Sequence, residues 1–132
     1  MTDAADLVRR VMDAHNAGAD AVLDAFEECM SSDFEFRPAT VGTERVTYRG
    51  REGIEHYYRE RAEVFGAGEL HIRSLEALGE AVVVQARSTA RGRASGATVE
   101  EEISLVYWCR DGRLARLEAF RSHAEALEAA RA

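Results

Sequence analysis

Beyond Glu69 the apolar residues recur at every second position, whereas before it they recur at every third or fourth. That switch of period restricts the fold more than any other feature. A pleated strand shows the same face every two residues, a helix every ~3.6. The stretches "ELHIRSLEALG", "AVVVQARSTARG", "ATVEEEISLVYWCR" and "RLARLEAFR" therefore read as four long strands. They are joined at Gly79-Glu80, Arg93–Gly96 and Asp111-Gly112, the last an Asp-Gly pair suited to a tight hairpin.

Ahead of the switch the pattern is mostly helical. A helix is predicted over 3–17, with Ala4, Val8, Val11 and His15 on one stripe. Asp3 stands where a cap belongs and Gly18 where a stop belongs. A second helix runs from Asp20 to Met30, with Val22, Leu23, Phe26 and Met30 inward. "DFEFRPA" alternates and reads as a short strand closed by Pro38. After a loop through Gly42, "YRGREGIEHYYRERAEVFGAG" gives a third helix ended by Gly66 and Gly68. His123 to Ala130 makes a short last helix. Helices early and an antiparallel meander late define an α+β fold, a curved antiparallel sheet with three helices on one face.

Composition narrows the function. The 132 residues suit one domain, residues 1–132, and 46% are hydrophobic, enough for a core. A net charge of −7 disfavours nucleic acid as a partner. No apolar run is long enough to span a membrane, and "MTDAADLVRRVMDAH" lacks a signal-peptide pattern, so the expected compartment is the cytoplasm. Cys29 and Cys109 lie far apart and read as free, buried thiols. Every basic residue other than histidine is arginine, which excludes lysine Schiff-base chemistry and lysine-bearing phosphate loops. The histidines lack metal-site spacing, and "GAG" and "GRASG" match neither a dinucleotide fingerprint nor a nucleophile elbow, so no cofactor or metal is expected.

Polar residues on apolar faces are the candidates for chemistry. On the third helix Ile54, Tyr57, Tyr58, Arg61, Ala62 and Phe65 share a face, while His56 points away beside Glu60 and Glu63. Arg61 at the centre of that face needs a carboxylate partner or a route to water. Tyr58 needs a partner for its hydroxyl. His15 shares the stripe of Val8 and Val11. In "ATVEEEISLVYWCR", Val99, Ile103, Leu105, Tyr107 and Cys109 face the helices, and Glu101 falls among them. An inward glutamate suits general acid–base work, or else pairs with an inward arginine. Val106 and Trp108 on the opposite face are apolar where water is expected, which points to a homodimer through the outer sheet.

The chain resembles the nuclear transport factor 2-like superfamily, and within it the SnoaL-like domains. The resemblance rests on "AHNAGADAVLDAF", "YRGREGIEHYY", "WCRDGRLARLEAF" and "AEALEAA" in that order and covers nearly the whole chain. It implies a cone with an apolar pocket inside, and commonly a homodimer. The resemblance also shows which catalytic groups are missing. The steroid isomerases' inward tyrosine matches Val11, their aspartate base matches Arg37, and their second aspartate matches Leu105, or Ser104 one residue out of register. The aldol-type cyclases' aspartate matches Ser122. Arg61 with Glu101 only distantly echoes the epoxide hydrolases.

Two functions remain open at this point. One is a domain that binds a small hydrophobic carbonyl compound, acting as a cofactor-free isomerase, dehydratase or cyclase if catalytic. Its pocket would be lined by His15, Phe34 or Phe36, Tyr58, Arg61, Glu101 and Tyr107. Glu101 or His15 would move the proton and Arg61 would orient an anionic or carbonyl group. The other is a non-catalytic dimeric interaction module, in which Arg61 and Glu101 form a structural ion pair. A cavity of at least ~300 Å³ favours the first and a filled cone the second.

Overall fold

The computed structural model describes residues 3–38 and 46–132. Its elements are α1 (Ala4–Ala17), α2 (Ala19–Cys29), β1 (Met30–Arg37), β2 (Tyr48–Arg49), α3 (Gly50–Val64), β3 (Phe65–Leu78), β4 (Ala81–Gly92), β5 (Thr98–Arg110), β6 (Arg113–Phe120) and α4 (His123–Arg131). The strands form one sheet in the order β2-β1-β6-β5-β4-β3. Four of its five pairings are antiparallel, but β1 runs parallel to β6. The sheet is therefore mixed rather than wholly antiparallel. The α2 helix delivers β1 to the free edge of β6 in the same direction, something a hairpin cannot do.

The helices pack through the stripes that their sequences provide. Leu7, Val8, Val11 and Met12 of α1 are buried, as are Val22, Ala25, Phe26 and Cys29 of α2. They meet Val82, Val84, Leu105 and Tyr107 on the concave face of the sheet. Gly18, with φ of 133°, closes α1 and opens α2 in a single residue; its N–H bonds the carbonyls of Ala14 and His15. Asp3 occupies the N-cap position, but its side chain caps nothing; its carbonyl takes the N–H groups of Asp6 and Leu7 instead. Asp111 and Gly112 have φ of 54° and 75°, the left-handed pair that a tight hairpin needs.

Several boundaries move from their predicted places. Met30, Ser31 and Ser32 belong to β1, not to a helix end and a break. Tyr48 and Arg49 pair with Phe36 and Glu35 as a short strand, so α3 starts at Gly50. Gly66 and Gly68 do not stop α3; the chain passes straight from Val64 into β3, where Phe65 lies opposite Gly92 and the N–H of Arg93 bonds Val64 O. Sheet pairing thus ends the helix before the glycines can. Val99 lies past the helices and is exposed, and Ala62 is exposed as well. Ala39 and Gly42 fall outside the described residues.

The fourth helix changes the reading of the outer face. α4 packs across the convex side of β4, β5 and β6. Ala126 joins Ala81, Val83, Val106 and Phe120 in a second apolar cluster there. Val106 is wholly buried by this helix, so the apolar side chain that suggested a second subunit is covered by the chain's own C-terminus. Trp108 is half-buried beneath the Arg116 guanidinium, 4.4 Å from its ring centre. Beyond α4 the same face is charged, with Arg73 holding Glu102 through two bonds and Arg87 paired to Glu100.

Gly53 provides a test of how tightly β2 is held against α3. A Cβ there would lie 2.8 Å from the backbone carbon of Tyr48. Alanine inside an exposed helix normally gains about 1 kcal/mol over glycine. Here Gly53→Ala should instead destabilise the fold, by about 1–3 kcal/mol, as overpacking does. Urea unfolding of the variant measures the sign.

Candidate functional site

The concave face does not close completely on the helices. Between them lies a cavity of about 150 Å³. Its apolar wall includes Val11, Met12, Phe26, Ile103 and Leu105, and its polar groups are His15, Tyr58, Arg61, Ser88, Glu101 and Tyr107, with Tyr57 beside them. Strand alternation explains the sheet's share. Leu70, Ser88 and Glu101 are cross-strand neighbours on β3, β4 and β5, and Val84, Leu105 and Ala119 form a second such row. Phe36 stands on the wall with its ring edge against Tyr57, the centroids 4.8 Å apart. Phe34 does not reach the cavity. It is fully buried against Phe26, which corrects the expectation that Phe34 lines the pocket.

His15 and Tyr58 meet across the hollow. His15 Nδ1 and Tyr58 Oη are 2.8 Å apart, joining α1 to α3. Burial, with a smaller contribution from the Arg61 charge, depresses the imidazole to about 4. At neutral pH the ring is therefore uncharged, with one N–H and one acceptor nitrogen. Asn16, the next residue, anchors this end of α1 to β3. Its amide bonds Leu70 O and its oxygen takes Leu70 N–H.

Burial also pushes both tyrosine hydroxyls up, most for Tyr58, so each keeps its proton. Their situations differ. Tyr58 has His15. Tyr107 is 2% exposed, lines the cavity, and its hydroxyl has no hydrogen-bond partner among the described residues. Its oxygen is not sealed in the packing but opens on the cavity. The hydroxyl is thus a donor facing a void.

Arg61 and Glu101 both border the cavity, but no ion pair joins them among the described residues. This corrects the structural-pair reading. Arg61 is half-buried with its guanidinium over the Phe65 ring at 5.2 Å, and Glu101 is exposed at the end of its strand. His56 faces solvent and contacts Glu60 at 2.6 Å. Ser122 caps α4, its oxygen accepting from Glu125 N–H. Val11 and Leu105 put hydrocarbon on the cavity wall where the steroid isomerases have catalytic groups, and Arg37 sits on the opposite face, across from Glu118. Glu118, buried and bonded to Arg116 at 2.6 Å, gave no sequence signal beyond alternation along β6. Among the described residues no three of His, Cys, Asp or Glu converge as a metal site, and no helix is long and apolar enough to cross a membrane.

A curled sheet over helices with an internal hollow defines a class of fold. Residues 8–117 match the SnoaL-like domain, and the chain belongs to that family. No curated protein matches it. The fold is similar to an NTF2-like protein from Burkholderia thailandensis, at 18% identity and a TM-score of 0.79 over 96% of this chain and 98% of that one. It is also similar to a protein with a ketosteroid isomerase-like fold from Catenulispora acidiphila, solved with trimethylamine. There the identity is 15% and the TM-score 0.76, over 93% and 90%. A third similar structure is TerC co-crystallised with polyporic acid, at 19% identity and a TM-score of 0.71 over 96% and 98%.

The depressed His15 sets a pH dependence. Between about 6.5 and about 4 the unfolded chain binds a proton on this ring that the folded chain refuses, so stability falls as pH drops through that window. Urea unfolding across it should show a shallower loss in His15→Gln than in the wild type. Equal slopes would mean that the ring is not held neutral.

Proposed function

We propose that the chain binds a small, ring-sized carbonyl compound in the cavity between its helices and sheet, and transfers a proton on it without a cofactor. The observation that carries this reading is the Tyr107 hydroxyl, which lines the cavity with no hydrogen-bond partner among the described residues, beside the His15–Tyr58 pair. Two neutral hydroxyl donors on the wall of a largely apolar cavity suit one acceptor oxygen that gains negative charge. Tyr58 is free to donate when His15 Nδ1–H donates to it, and the neutral imidazole permits that tautomer. Glu101 is the only carboxylate on the cavity wall among the described residues, so it is the proton acceptor in this reading. His15, with its basicity lowered, positions Tyr58. Isomerisation, dehydration and cyclisation of a carbonyl compound can each start from the enolate that such a proton transfer forms.

The size of the hollow limits the ligand. At about 150 Å³ it is half the ~300 Å³ of a typical drug-sized site, yet an apolar cavity of about this volume can hold a benzene-sized molecule. The same small volume favours the second reading, a non-catalytic interaction module whose core is incompletely filled. The two similar structures solved with trimethylamine and polyporic acid support the ligand-binding reading.

The test uses cyclohexanone in deuterated buffer. The wild type should bind it saturably and exchange its α-protons faster than buffer does. Tyr107→Phe should weaken binding by about three- to tenfold, the worth of one hydrogen bond. Glu101→Gln should bind but exchange at the buffer rate. Absence of both binding and exchange in the wild type would favour the interaction module.

A further inference from the structure

A second hollow, of about 300 Å³, adjoins the first. The two share His15, Tyr58 and Arg61. Its remaining walls have a different character. One side is the α1–α2 turn, Asn16 to Ala19, and the other holds Phe65 and Arg93. Arg93 stands in the β4–β5 connection, and its Nε donates to Ala62 O, which holds the side chain against the end of α3. That bond leaves its terminal nitrogens uncommitted to a carboxylate. Neither Arg61 nor Arg93 has an acidic partner within ion-pair distance among the described residues, although the chain carries 24 acidic residues against 17 basic ones. Arg73, Arg87 and Arg110 elsewhere on the surface are paired, whereas Arg91 and Arg113, like Arg93, bond backbone carbonyls; what sets Arg61 and Arg93 apart is that both border one hollow.

Arginine is the side chain best matched to a carboxylate, because its planar fork offers parallel donors. Two unpaired guanidiniums border the outer hollow, and the inner hollow is mostly hydrocarbon. A ligand that fills both must have an apolar body and an acidic end. We infer that the ligand of the proposed site carries a carboxylate, held in the outer hollow by Arg61 and Arg93 while its ring and carbonyl occupy the inner one. This assignment rests on the proposed function and adds the class of substrate, a small cyclic oxo acid. Arg61, shared by both hollows, then anchors the ligand and sets how far it enters.

The probe is cyclohexanone bearing a carboxylate opposite the carbonyl, compared with its methyl ester by titration calorimetry. The wild type should prefer the acid by about tenfold, the contribution expected of charge-assisted bonds. Raising the salt concentration should weaken the acid and leave the ester unaffected. Arg61→Gln and Arg93→Gln should each bring the acid-to-ester ratio toward unity. An ester that binds as well as the acid, or a preference that persists in the double variant, overturns the carboxylate assignment alone. Failure of both compounds to bind overturns the proposed site and this inference with it.

Discussion

The hydrogen bond between His15 and Tyr58 is the contact on which the rest of the interior depends. It ties the last turn of α1 to the middle of α3 above the concave face. The apolar stripes of both helices set their approach, and this polar link joins them beside Met12, Leu70 and Leu105 on the cavity wall. Asn16 reinforces the arrangement by fixing the same end of α1 to β3. Polar groups thus brace the hollow, and in the proposed function the bracing groups are those that face a ligand.

The sheet makes the complementary contribution. Alternation along β5 sends Leu105 and Tyr107 to the concave side and Val106 and Trp108 to the convex side. The convex side is then divided. The ends of β4 and β5 around Ala81, Val83 and Val106 are roofed by α4 at Ala126, and the opposite ends of the same strands carry the pairs Arg73–Glu102 and Arg87–Glu100. Screened surface pairs of this kind contribute little energy, but they keep that end of the sheet wet. The concave side remains for chemistry.

Much of this was legible in the sequence, for reasons that differ by residue. The four long strands, the Asp111-Gly112 hairpin and the buried stripes of α1 and α2 follow from period and turn chemistry, which are local. His15, Tyr58, Arg61 and Glu101 are polar residues on apolar faces and Tyr107 belongs to the apolar face of its strand, and all five border the cavity. Phe34 was misassigned because alternation gives a side of the strand, not a depth; the ring turns to Phe26 instead. The parallel β1–β6 pairing and the passage of α3 into β3 depend on long-range partners that periodicity does not encode. Val106 suggested a second subunit because nothing in its own strand shows that α4 folds back over it. Arg93 gives no signal in the sequence, because it falls in the connection between β4 and β5, where no period assigns a side chain to a face.

Tyr107 lines the cavity, and in the proposed function its hydroxyl donates to a ligand oxygen there. A crystal structure grown with cyclohexanone measures this most directly. The ketone should lie in the inner cavity with its oxygen about 2.6–3.0 Å from Tyr107 Oη. A cavity closed by repacked side chains, with Tyr107 bonded to a protein group, would contradict it.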